Sequence, residues 1–241
     1  MNAQDAADEE GPLALVLHPP GAVAALGSAL ALVYAVTGLM PAATVHRLWH
    51  MFELSPARAF HAVETGAYFS GVVRPYLGHM VFHINLTHLL VNLAAVVLCG
   101  SFVHREMELQ AGSRRNDAPA AFIAFFLLCG LAGGFAFALA DPRSAQSVVG
   151  ASGAAAGLFG ACAWILIMRF GGEGERLGDM RRIAMLALFS VLVVGASVVL
   201  DNSSVSRLLF GSASAWQAHV GGYVAGLLTY PLFEKIAASG R

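Results

Sequence analysis

Uncharged apolar stretches alternate with short polar segments along almost the whole chain. Six of them contain no Asp, Glu, Lys or Arg: 21–45, 75–103, 118–140, 144–168, 183–200 and 208–233. A helix needs about 20 apolar residues to cross the hydrocarbon core of a bilayer. The fifth stretch is the shortest, at 18 residues. None shows the alternation of apolar and polar residues that a membrane barrel requires, which leaves helices as the way to satisfy the backbone in lipid. The pattern predicts an all-α membrane protein, a bundle of six transmembrane helices (TM1 to TM6) within residues 21–235. An N-terminal tail, 1–20, and a short C-terminal tail, 236–241, flank it.

Between TM1 and TM2 the pattern changes. Residues 43–75 are too long for a tight turn and mix Trp49, Phe52, Phe60, Tyr68 and Phe69 with His and Arg. Such aromatic-rich amphipathic sequence suits the bilayer interface, and a solvated loop is the alternative. Small residues recur at four-residue spacing: Gly130 and Gly134, Gly153 and Gly157, Gly222 and Gly226. Small-xxx-small spacing lets helix backbones approach closely in lipid, so TM3, TM4 and TM6 are expected to pack tightly.

Composition agrees with the pattern. The 241 residues are 57% hydrophobic and 12% charged, against roughly 25% charge in a soluble domain. A net charge of −1 supplies no basic field for nucleic acid. Cys99, Cys129 and Cys162 all lie in apolar stretches and lack the CxxC spacing of a zinc site. An odd number of such cysteines argues against a disulfide framework. The first twenty residues hold four acidic residues and no Lys or Arg, unlike the positive start of a secretory signal. TM1 therefore reads as a retained helix. With both termini on one side, that side carries nine Lys and Arg residues and the other five. The positive-inside bias then places both termini in the cytoplasm.

The chemistry stands out because it interrupts apolar sequence. Ser152 sits between Gly150 and Gly153 near the start of TM4, and His219 lies near the start of TM6. His83, His88 and Asn92 lie in the first half of TM2. In this topology all five fall at a similar depth. Ionisable groups inside a membrane are costly and usually functional, and Ser plus His is the minimum for a base-activated nucleophile. Each group alone also suits helix packing or a helix–helix hydrogen bond; their common depth is what joins them. His88 and Asn92, four residues apart, share a helix face and are donors of the kind that stabilise an oxyanion. The N–H groups at the start of the helix led by Ser152 are further donors. Asp and Glu are missing from the core of these stretches, so a Ser–His dyad is expected rather than a triad. His79, His83 and His88 step by four and five residues and do not share one face, so no metal site is expected. A His-lined transporter would also call for acidic or Met clusters and inverted repeats, and the sequence has neither.

Three motifs together resemble the rhomboid family of intramembrane serine proteases. His83 to Asn92 is similar to the family's His-x4-His-x3-Asn run in TM2, Gly150 to Gly153 to its GxSG motif in TM4, and Ala218 to Gly226 to its AHxxGxxxG motif in TM6. The resemblance implies six helices around a water-accessible cavity open to the outside. It implies Ser152 as nucleophile and His219 as general base, with His88, Asn92 and the Ser152 N–H as the oxyanion hole. His83 would brace the TM1–TM2 loop and the start of TM2, while Gly222 and Gly226 would let TM6 pack close to TM4. It also implies a bacterial inner membrane location, transmembrane protein substrates and no cofactor; the sequence carries no signal for oligomeric state. A rhomboid-like pseudoprotease that binds or escorts membrane proteins is the alternative function. Two departures stand out. Ala156 occupies the position four after the serine, where many bacterial members place an aromatic residue that can stack on the histidine. Residues 43–75 lack the Trp-Arg pair of many members.

Overall fold

The structure, a computed structural model, describes residues 18–111, 117–170, 176–201 and 215–239. The acidic start of the N-terminal tail, Arg114, Arg115, Arg207, Arg241 and the first residues of the sixth apolar stretch lie outside the described residues.

The described chain is helical. In order it forms α1 (Gly21–Gly38), α2 (Ala42–Phe52), α3 (Pro56–Glu64), α4 (Arg74–Gly78), α5 (Leu86–Ala111), α6 (Ala118–Ala140), α7 (Ser152–Phe170), α8 (Arg176–Asp201) and α9 (Trp216–Ser239). Within α5 a π-helical turn spans Val96–Gly100. Among the described residues, four segments are long and apolar enough to cross a membrane: α1, α5, α6 and Met180–Val199 of α8. Helix α7, 19 residues long, is apolar over Ser152–Met168, and α9 carries Gln217, His219, Glu234 and Lys235. Helices α7 and α9 pack against α6 and against each other at the centre of the bundle, where a helix needs less apolar surface.

Around this centre lies a core that includes Phe122, Phe125 and Phe126 of α6, Leu158 and Ile165 of α7, Val103 and Met107 of α5, and Tyr230 of α9. The periphery is reversed. Leu188, Val191, Leu192 and Val199 of α8 are all exposed. A continuous apolar face of this kind is unfavourable in water and is what a helix in lipid presents.

The small residues explain how close the central helices come. A Cβ on Gly222 would collide with the Gly153 carbonyl oxygen, one on Gly226 with the Gly157 carbonyl oxygen, and one on Gly160 with the Tyr223 carbonyl oxygen. Helices α7 and α9 thus meet backbone to backbone, as the spacing predicts. On α6 the outcome differs in detail. It is Gly133 that faces α7 and α9, where a Cβ would lie 2.6 Å from the Ala218 carbonyl oxygen. Gly130 faces Ala154 of α7, at 3.3 Å from an added Cβ, and also receives Met80; Gly134 receives Leu54 and His79 from the segment between α1 and α5.

That segment is more ordered than a loop. Besides α2, α3 and α4 it contains a π-helical turn at Phe69–Val73 and a 3-10 turn at His79–Val81. Prolines mark its helix starts: Pro41 precedes α2, Pro56 opens α3 and Pro75 lies in the first turn of α4. A first-turn proline loses no helical hydrogen bond. Of the aromatic residues, Phe60, Tyr68 and Phe69 are exposed. Phe52 turns inward to stack on Phe82 with ring centres 5.2 Å apart. Antiparallel bonds tie the segment to the stretch before α7: Leu54 N–H donates to the Val148 carbonyl at 3.0 Å, and Val148 N–H donates back at 2.9 Å.

Candidate active site

Three helix starts converge. Ser152 is the first residue of α7, and His219 lies in the first turn of α9, its N–H donating to the Ala215 carbonyl at 3.3 Å. His88 and Asn92 lie in the first two turns of α5. Helix α5 starts after a break at Phe82–Asn85, later than the apolar stretch alone suggests. Asn85 caps it, its side chain accepting the His88 N–H at 2.8 Å, as an N-cap residue does for the third helical N–H.

Across the α7–α9 contact, Nε2 of His219 lies 2.9 Å from Oγ of Ser152. The two residues are far apart in sequence and belong to helices that meet without intervening side chains. With Nε2 as acceptor, the serine hydroxyl donates to the imidazole. That is the ground-state arrangement from which a base activates a hydroxyl.

The pair opens into a cavity of about 180 Å³. Its lining includes Asn92 and Ala95 of α5, Ala156 and Phe159 of α7, and Val193 and Ser197 of α8. Asn92 is buried and donates one amide N–H to the His88 carbonyl at 2.8 Å. A side-chain amide has two N–H groups. His88 does not line this cavity; its ring packs edge-on to His83, with centres 5.2 Å apart. On its other side lies Gly150, where a Cβ would be 2.5 Å from His88 Cε1. The structure therefore brings Ser152, His219 and Asn92 to one cavity, and sets His88 and buried His83 beside the turn that delivers Ser152.

That turn is held from below. Gly150 has φ +125°, a backbone conformation that glycine reaches readily and other residues rarely do. Its N–H donates to the His79 carbonyl at 2.7 Å. Gly153, by contrast, has room: a Cβ there would be 3.4 Å from the nearest atom, the Ala218 carbonyl oxygen. Of the supporting glycines, Gly150 is fixed by its turn, and Gly222 and Gly226 by the close approach of α9.

Some contributors are not evident from sequence. His79 serves through its carbonyl, and Gly133 and Gly221 through their lack of side chains; a Cβ on Gly221 would collide with Ala136. Tyr223 lines the cavity, and its hydroxyl is 3.0 Å from Ser190 Oγ on α8. It lies four residues after His219, on the same helix face, and that spacing was its available signal. Among the described residues no group of three His, Cys, Asp or Glu side chains could hold a metal ion.

No curated protein matches the chain. The Rhomboid domain family model, however, matches residues 70–235. That range holds α4 to α9 up to Lys235, with Ser152, His219, His88 and Asn92 inside it. Together with the apolar helices it makes this a multi-pass membrane protein, and the chain belongs to the rhomboid family.

Proposed function

We propose that the protein is an intramembrane serine protease that hydrolyses peptide bonds in or near the transmembrane segments of other membrane proteins. The observation that carries this reading is the 2.9 Å contact between Ser152 Oγ and His219 Nε2. Ser152 is the nucleophile and His219 the general base. As the hydroxyl oxygen attacks the scissile carbonyl carbon, its proton passes to Nε2. The imidazolium then protonates the leaving amine, and the acyl-enzyme forms. Water, deprotonated by the same imidazole, attacks the ester; the proton returns to Ser152 and the acid product leaves.

Negative charge on the attacked oxygen needs donors that are already in place. The Ser152 N–H lies in the first turn of α7, where backbone donors lack helical partners. The second amide N–H of Asn92 adds a donor on the cavity wall, while His88, off that wall between His83 and Gly150, supports the turn that carries Ser152. A peptide bond inside a helix is shielded by its own turn, so the substrate must unwind locally before attack. The cavity beside the dyad is lined mainly by small and apolar side chains, which suits a small residue at the cut.

We place the enzyme in a bacterial inner membrane, with six spans, both termini cytoplasmic and the dyad toward the outer face. The Lys and Arg distribution supports that orientation, as do the shared helix-start positions of Ser152, His219 and His88. The test is cleavage of a single-span substrate by the protein reconstituted in lipid vesicles. Ser152→Ala and His219→Ala should each abolish product while the protein remains folded. Turnover retained by either variant would remove that residue from its role.

A further inference from the structure

Away from the dyad, two imidazoles on α2 point at each other. Nε2 of His46 and Nε2 of His50 are 3.2 Å apart, and the rings meet edge to face with centres 4.3 Å apart. Both residues are exposed. At that distance the two ring nitrogens share a hydrogen bond, one donating and the other accepting, and that bond already holds the pair together.

We propose that His46 and His50 form a two-nitrogen chelate for a late first-row divalent ion, Zn²⁺ or Cu²⁺. Three observations carry it. The first is spacing. Zinc binds imidazole nitrogen at about 2.0–2.1 Å, so two nitrogens at a tetrahedral angle lie about 3.4 Å apart. The observed 3.2 Å is close to that; on binding, the ion takes the place of the proton shared by the two nitrogens, His46 moves its proton to Nδ1, and the ring centres, 4.3 Å apart, swing outward. The second is tautomer. His50 Nδ1 lies 3.0 Å from Glu53 Oε1. A carboxylate accepts a proton there, which leaves the lone pair of His50 on Nε2. A carboxylate behind a ligating histidine orients the ring and raises its basicity. The third is access, since an exposed pair admits an ion and its waters.

Glu53 is itself fixed. Arg58 Nη2 donates to its Oε1 at 2.9 Å, and Ser147 Oγ donates to its Oε2 at 2.8 Å. The orienting carboxylate is therefore in place before any ion arrives. Among the described residues no third His, Cys, Asp or Glu side chain completes a site there, so water supplies the remaining ligands and binding is weaker than at a four-ligand structural site. The pair is separate from His79, His83 and His88, and the proposal does not depend on proteolysis.

Zn²⁺ titration of the full chain, purified without a polyhistidine tag and followed by calorimetry, tests this. The wild type should bind one more equivalent of Zn²⁺ than the double variant His46→Gln/His50→Gln. These substitutions keep size and polarity at exposed positions, and unchanged thermal unfolding certifies the fold. Each single variant should weaken that site, and Glu53→Gln should weaken it about tenfold through the orienting contact. Cu²⁺ should bind more tightly than Zn²⁺, following the general order of divalent affinities. Equal Zn²⁺ uptake by the wild type and the double variant would overturn the proposal, as would identical affinity in both single variants and the wild type.

Discussion

A side chain on Gly222 would fall on the carbonyl oxygen of Gly153. Gly153 is the neighbour of Ser152, and Gly222 lies about one turn after His219. The distance between hydroxyl and imidazole is therefore set by a backbone contact rather than by the two side chains alone. Nearby, Gly226 repeats the contact on Gly157, so α9 is held against α7 along two successive turns.

This arrangement separates two glycines that look alike in sequence. Gly222→Ala must push α9 away from α7, and a displacement of about 1 Å at reacting groups can cost roughly 10²-fold in rate. Gly153→Ala meets nothing closer than 3.4 Å. Measured kcat/KM should fall at least about a hundredfold for Gly222→Ala, and Gly153→Ala should retain most of its activity. Equal losses for the two would show that the close backbone contact does not position the dyad.

Gly150 presents a different constraint. Its φ of +125° disfavours a side chain, and a Cβ would be 2.5 Å from the His88 ring. Gly150→Ala should lower stability by about 1–3 kcal/mol from backbone strain, and displace His88 as well. Thermal unfolding in detergent and the cleavage rate should both fall. A stable, fully active Gly150→Ala protein would contradict the observed turn.

Asn92 offers a test confined to catalysis. The oxyanion-donor role proposed for it implies that Asn92→Ala lowers kcat by about 10²–10³ and leaves KM nearly unchanged. Because Asn92 also donates to the His88 carbonyl, unfolding should be measured alongside. A rise in KM at constant kcat would assign Asn92 to substrate binding instead.

The bond pair between Leu54 and Val148 anchors the approach to Ser152 on the segment before α5. Val148→Pro removes the N–H that Leu54 accepts. The expected outcome is faster amide exchange at Leu54 and slower cleavage, with the helical bundle intact by circular dichroism. Cleavage as fast as in the wild type would show that the pairing is not what holds this turn.

Much of the site is visible in the sequence because polar groups are conspicuous against an apolar background. Ser152, His219, His88 and Asn92 could be linked by depth before any coordinates. The close packing of α7 and α9 was likewise readable from Gly153, Gly157, Gly222 and Gly226. On α6 the same reading went to Gly130 and Gly134; Gly130 does meet Ala154 of α7, but the closest helix contact is made by Gly133. Four-residue spacing identifies a row of small residues but not all that faces it, and here the row also receives Met80, Leu54 and His79. Residues 43–75 read as a loop because their apolar residues serve both an outer face and a packed one; only the prolines marked the helix starts. The antiparallel bridge of Leu54 and Val148 has no periodic signal at all. The α8 wall of the cavity, Val193, Val194 and Ser197, is chemically indistinguishable from lipid-facing sequence.

The most direct measurement is covalent labelling of the folded, detergent-purified protein with a serine-directed fluorophosphonate. The expected result is a single adduct on Ser152, absent in Ser152→Ala and strongly reduced in His219→Ala. Folded wild-type protein that takes up no label, or labels equally well without His219, would contradict a nucleophile activated across the α7–α9 contact.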